Sequence, residues 1–212
     1  MIILGFDPGG EKKFGCVIMD LEGNSLDSYI AESVDDAIAW TFKSVGGAQP
    51  VAAGIDTLLF WQSTKSGWRG ADQYLRSAYP ACRSSILCAN GLYGSMSVQG
   101  AVLAHRLRQK WPKILLTETH PKVLWHHITA GAEYPRNWQD GVPEPVASWL
   151  QRSEIDAPSI AGEDEFDALL SAWAAGQAYK KNWTRDLSEL PASNQNSENI
   201  YLVQDINYFW PD

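Results

Sequence analysis

Ile2-Ile3-Leu4-Gly5-Phe6-Asp7-Pro8-Gly9-Gly10 opens the chain with an apolar run that ends on one carboxylate and turns at once. Such a run predicts a buried strand, and Pro-Gly-Gly predicts a turn directly after the acid. A strand that carries a lone carboxylate to its tip builds a site as well as a core. The theme returns twice. Val51-Ala52-Ala53-Gly54-Ile55-Asp56 and Ile114-Leu115-Leu116-Thr117-Glu118 are also short, apolar and finished by an acid.

The segments between these strands give the topology. Residues 14–20 read as a second strand, Leu21-Glu22-Gly23-Asn24 as a turn and 25–32 as a third strand, making an antiparallel meander. Ser33 followed by Asp35 and Asp36 predicts a capped helix over 33–44, ended by Gly46-Gly47. A helix crossing from strand three to the Asp56 strand makes that strand parallel within the same sheet. Residues 58–70, with Trp61, Trp68 and Arg69, read as a loop on the same rim, and 71–78 as a short helix carrying Asp72 and Arg76. A short strand is expected at 86–88 and a helix capped by Ser97 over 97–111.

Pro121 suits the first turn of a helix over 121–128. Residues 131–143 are rich in turn formers and are expected to form an insertion loop, with a short helix at 144–152. The clearest helix covers 163–182, with Asp164, Asp167 and Ser171 on one face and Ala174, Ala175 and Ala178 extending that stripe. Small side chains let a helix lie close against a sheet, and its first turn then presents two carboxylates. A polar linker over 193–199 leads to an apolar tail, which is expected to pack back on the domain.

At 212 residues and 45% hydrophobic content, the chain can bury a core as one domain, read here as 1–182 plus an extension over 183–212. No apolar run reaches the roughly 20 residues of a membrane span. The first strand starts at the N-terminus, which leaves no room for a signal peptide, and three cysteines without paired spacing fit reduced thiols. A cytoplasmic protein is expected. The net charge of −8 argues against a long duplex-DNA footprint, where phosphate neutralisation supplies most of the affinity. Ten tryptophans serve core packing, or stacking on bases or a partner.

Each acid alone has a local explanation: Asp7 as a turn former, Asp56 as an Asx-turn, Glu118 paired with a lysine, Asp164 favoured by the helix dipole. Three strands ending the same way point further, because parallel strands share one carboxyl rim and sites lie there. Crowded acids repel unless a cation sits among them, and oxygen-only ligands favour Mg2+ or Mn2+. The histidines offer no competing zinc set: His126 and His127 are adjacent and His105 is isolated. His120 reads either as a proton donor or as a rim hydrogen-bonding group.

Leu4-Gly5-Phe6-Asp7-Pro8-Gly9, followed by Phe14-Gly15-Cys16-Val17-Ile18, resembles the opening of RNase H-like proteins, especially RuvC-type Holliday junction resolvases. Gly54-Ile55-Asp56 is similar to their second acidic strand, where the usual acid is Glu, and Asp164-Glu165-Phe166-Asp167-Ala168-Leu169 to their closing D-x-x-D-A helix. An uncharacterised family of RNase H-like nucleases, domain of unknown function 429, is resembled further through Arg69, Asp72 and Arg76 and through Glu118-Thr119-His120-Pro121.

The resemblance implies an α/β fold with a mixed five-stranded sheet, three strands antiparallel and two parallel, and helices on both faces. It also implies a two-metal-ion carboxylate site in which Asp7 bridges the ions and Asp56, Asp164 and Asp167 complete their shells. Glu118 is a fifth acid that resolvases do not require. The function expected is a metal-dependent nuclease or phosphodiesterase on short or single-stranded nucleic acid. Arg69, Arg76 and Lys12 or Lys13 would contact phosphate, and Trp61 and Trp68 would stack on bases. The competing readings are a nucleotide-binding protein and a catalytically idle interaction protein on the same fold.

Overall fold

A computed structural model describes residues 1–92, 94–138, 141–191 and 198–212. The chain runs β1 (Ile2–Asp7), β2 (Phe14–Asp20), β3 (Ser25–Ala31), α1 (Val34–Val45), β4 (Pro50–Ile55), β5 (Phe60–Gln62) and α2 (Gly70–Ala78). It continues through α3 (Gly94–Lys110), β6 (Leu115–Glu118), α4 (Pro121–Ile128), α5 (Glu144–Arg152) and α6 (Glu163–Tyr179). Four short strands close it: β7 (Arg185–Asp186), β8 (Asn199–Tyr201), β9 (Ile206–Asn207) and β10 (Phe209–Trp210). The expected polar linker lies mostly outside the described residues, as do positions 139 and 140 of the expected loop.

The main sheet has the order β3-β2-β1-β4-β6-β9. β1 pairs antiparallel with β2 and β2 with β3, whereas β4 lies parallel to β1, β6 to β4 and β9 to β6. The five expected strands are present, and the sheet has six, not five. The sixth is contributed by two residues of the C-terminal tail, too short for any periodicity to announce. It is held at the edge partly by the Phe209 amide donating to Thr117 Oγ1 at 3.1 Å. A strand at 86–88 is not formed; that segment is irregular, and Arg76 Nη1 donates to the carbonyls of Arg83 and Ile86 within it at 2.6 and 3.1 Å.

Period-two alternation divides the sheet between two cores. Leu4, Phe6, Ala53, Ile55 and Leu116 join Leu103, Leu107 and Trp111 of the α3 segment in one core, with α1 packed on the same side. Ile3, Val17 and Ala52 face the other way, onto Phe166, Ala168 and Ala172 of α6, with Trp125 of α4 and Trp149 of α5. Most tryptophans therefore serve packing: Trp125, Trp149 and Trp210 are buried, while Trp61 is exposed. No helix among the described residues is long and apolar enough to cross a membrane.

α6 lies directly on the sheet because three strand positions carry no side chain. A Cβ at Gly5 would come within 1.9 Å of the Ala168 carbonyl, at Gly15 within 1.9 Å of the Asp164 carbonyl, and at Gly54 within 2.0 Å of the Ser171 carbonyl. Gly5 and Gly54 are paired neighbours in the sheet, and Gly15 is paired with Asp7. Helix backbone thus rests on strand backbone beside the tip of β1.

Candidate active site

Asp7 shares the face of Ile3 and Gly5, and Asp56 that of Ala52 and Gly54, so alternation turns both carboxylates toward α6. The Asp56 amide donates to the Phe6 carbonyl at 2.9 Å, which fixes the two acids side by side. The backbone of Asp164 lies against Gly15, the partner of Asp7, and Asp167 follows one turn along. Glu163, Asp164 and Glu165 form the first turn of α6, where the helix dipole favours negative charge. Glu165 is spent structurally, accepting from the Ala161 amide at 2.9 Å, and Glu163 accepts from the Asn137 amide at 2.6 Å.

Burial and mutual repulsion govern the protonation of this group. Asp7 is held well above the usual carboxylate range, first by burial and then by Asp167 and Asp56. Asp56 is pushed up to about 8, again by burial and then by Asp167. Burial also raises Asp164 and Asp167, and Asp167 is partly relieved by Lys122 and Tyr134. Lys122, from the first turn of α4, places Nζ 3.3 Å from Asp167 Oδ2, and Asp167 above all holds that ammonium charged. The Tyr134 hydroxyl donates to Asp167 Oδ1 at 2.5 Å.

Neither Lys122 nor Tyr134 was expected here from the sequence. Lys122 follows the proline that opens its helix, a position that could have been projected onto the rim. Tyr134 lies in the segment read as an insertion loop. That segment is fastened down: Trp125 Nε1 donates to the Glu133 carbonyl at 3.0 Å, and the Trp138 and Tyr134 rings sit 5.4 and 6.3 Å from Phe166.

Glu118 is not part of the aspartate group. It pairs with Ile55, not Asp56, so alternation sends it to the opposite face of the sheet. There it accepts from Arg69 Nη1 and Nη2 at 2.8 and 2.7 Å and from the Leu59 amide at 2.9 Å. Burial raises the pKa of its carboxyl against the pull of Arg69. Arg69 is 1% exposed, and its remaining donors go to Asp72 and the Phe60 carbonyl. A guanidinium so committed has nothing left for a phosphate. Arg76 is likewise engaged, its guanidinium also lying 4.7 Å from the Trp68 ring. Trp68 is half-buried beneath it.

A cavity of about 320 Å³ opens beside Asp56, lined by His120, Lys122, Arg136 and the Arg69–Asp72–Glu118 network. His120 Nε2 meets the Ser85 carbonyl at 3.1 Å, so that nitrogen carries the proton and Nδ1 is a bare acceptor, buried without a partner among the described residues. Burial lowers its pKa to about 4, so the ring is neutral at pH 7 and is not poised as a proton donor. Leu58 also lines a second depression of about 480 Å³ with Trp61, Val98 and Val102.

The donor set suits a hard divalent cation in type and charge: Asp7, Asp56 and Asp164 offer oxygen only, and their raised pKa values register excess negative charge in an apolar setting. Among the described residues, no three acid, histidine or cysteine side chains converge closely enough to close around an ion as they stand. Asp7 is 7% exposed, and among the described residues no hydrogen-bond donor is directed at its carboxylate.

No family model matches the chain, and no curated protein matches it, so the likeness to the uncharacterised nuclease-like family rests on its motifs alone. Among solved structures, the chain is similar to the Thermus thermophilus RuvC structure, at 13% identity and a TM-score of 0.46, over 85% of this chain and 96% of that one.

Proposed function

We propose that the chain is a metal-dependent phosphodiester hydrolase acting on short or single-stranded nucleic acid. The observation that carries this reading is the placing of Asp7, Asp56, Asp164 and Asp167 on one face, at one rim, beside a cavity. These aspartates would hold Mg2+ or Mn2+, which when bound supplies activation of water and stabilisation of the leaving oxygen. Arg136, exposed on the cavity wall, and Lys13, whose charge is felt by Asp164, would take the phosphate contacts, since Arg69 and Arg76 are already engaged. The Trp61 depression, which shares Leu58 as a wall with the cavity, offers an apolar surface for a base.

The test is cleavage of DNA, RNA and dinucleotide panels with manganese or magnesium. Activity that appears with metal and disappears in Asp7→Asn supports the reading; inactivity across all panels defeats it. One observation favours the idle-protein alternative: Lys122 already neutralises part of the acidic group. In that case manganese leaves the melting temperature unchanged, because only an ion bound to the native state raises it.

A further inference from the structure

Tyr208 is 1% exposed, yet among the described residues its hydroxyl has no hydrogen-bond partner. The ring is packed among apolar neighbours and meets Trp210 edge-on, with centroids 6.0 Å apart. Its backbone is pinned as well: the Tyr208 amide donates to Asp186 Oδ1 at 2.8 Å, and its carbonyl accepts from the Leu187 amide at 2.8 Å. Tyr208 lines the cavity beside Asp56, and the charges that act on its hydroxyl, those of Glu118, Arg69, Asp72 and Asp56, line the same cavity. Burial pushes the phenol well up, so it stays protonated and is a fixed donor. Folded proteins seldom leave a polar group of a buried side chain unpaired, so one that faces a cavity marks the place of a ligand atom.

The rest of the wall has two characters. Leu58, Leu92 and Met96 give it an apolar side. Arg136, by contrast, is exposed and makes no ion pair or hydrogen bond among the described residues. At about 320 Å³ the cavity lies at the small end of the roughly 300–1,000 Å³ of small-ligand pockets, room for one nucleotide unit.

We propose that this cavity holds one nucleotide of the substrate, with the Tyr208 hydroxyl donating to an oxygen of its sugar or base and Arg136 gripping its phosphate. This rests on the hydrolase reading above and deepens it by naming a nucleoside monophosphate as the unit recognised. Tyr208 is a binding residue and takes no part in the chemistry.

The experiment is calorimetric titration of the full chain, in chelator and again with Mg2+, using the four common nucleoside 5′-monophosphates, their nucleosides and inorganic phosphate. At least one monophosphate is expected to bind, about tenfold or more tighter than its nucleoside, as a charge-assisted contact requires. Tyr208→Phe should weaken it about two- to tenfold, the effect of one neutral hydrogen bond. The same variant should keep its melting temperature, because the hydroxyl it removes pairs with nothing in the described protein. Arg136→Ala should erase the difference between monophosphate and nucleoside. Absence of monophosphate binding in both conditions overturns the inference, as does equal binding by wild type and Tyr208→Phe. Inorganic phosphate that binds as tightly as a nucleotide, or a lowered melting temperature in Tyr208→Phe, also overturns it. Metal-dependent cleavage alongside any of those results leaves the hydrolase reading standing. Nucleotide binding by a chain that cleaves nothing defeats that reading and upholds the cavity assignment.

Discussion

A carboxylate whose pKa rises on folding binds its proton more tightly in the native state. Its contribution to stability is complete below the unfolded pKa and is lost as pH climbs through the folded one. Asp56, at about 8, places that loss across neutral pH, and Asp7, raised in the same direction, adds to it. The metal-free protein is therefore expected to lose melting temperature from about pH 4 to about pH 8. Asp56→Asn, scanned in chelator, should flatten the profile and melt higher than wild type; a wild-type melting temperature that rises with pH would count against the buried group. Metal must displace those protons, so manganese affinity should also strengthen with pH. At Arg69 the sign is reversed. Arg69→Met strands Glu118 and Asp72 in the interior, and denaturant unfolding should show a loss of about 3–5 kcal/mol.

Elements, rather than single side chains, hold the acids at their spacing. Gly54→Ala would drive a methyl into the Ser171 carbonyl, and overpacking of this kind costs about 1–3 kcal/mol. It should lift α6 and weaken metal binding together, which a manganese-dependent melting shift would report. The sequence marked this helix well, through its alanines and its D-x-x-D spacing, and it marked the strands of Asp7, Asp56 and Glu118. What it did not carry was register. Three strands ending in an acid look equivalent in one dimension, yet Glu118 is offset by one residue and faces the other core. On the α6 side, the end of β6 presents not an acid but Thr119, whose hydroxyl meets Ser171 Oγ at 2.8 Å, and Lys122 of the next helix reaches Asp167. Turn formers over 131–143 point to an insertion loop. Its contacts to Phe166 and Asp167 are made across the fold, where local composition has no signal.

For the whole molecule, a charge of −8 confines nucleic-acid contact to a few local cations. With two or three phosphates neutralised, binding of a single-stranded oligonucleotide by Asp7→Asn should show a salt slope of about −1.4 to −2.1. Arg136→Ala should make that slope shallower by about 0.7 in fluorescence anisotropy, whereas Trp61→Ala should weaken binding without changing it. The bare contact of α6 with the sheet bears on evolution as much as on chemistry. Where backbone meets backbone at Gly5, Gly15 and Gly54, no side chain sets the spacing of the strand and helix backbones that carry the aspartates. That spacing behaves as a hard stop: substitutions in the surrounding aromatic core should leave it unchanged.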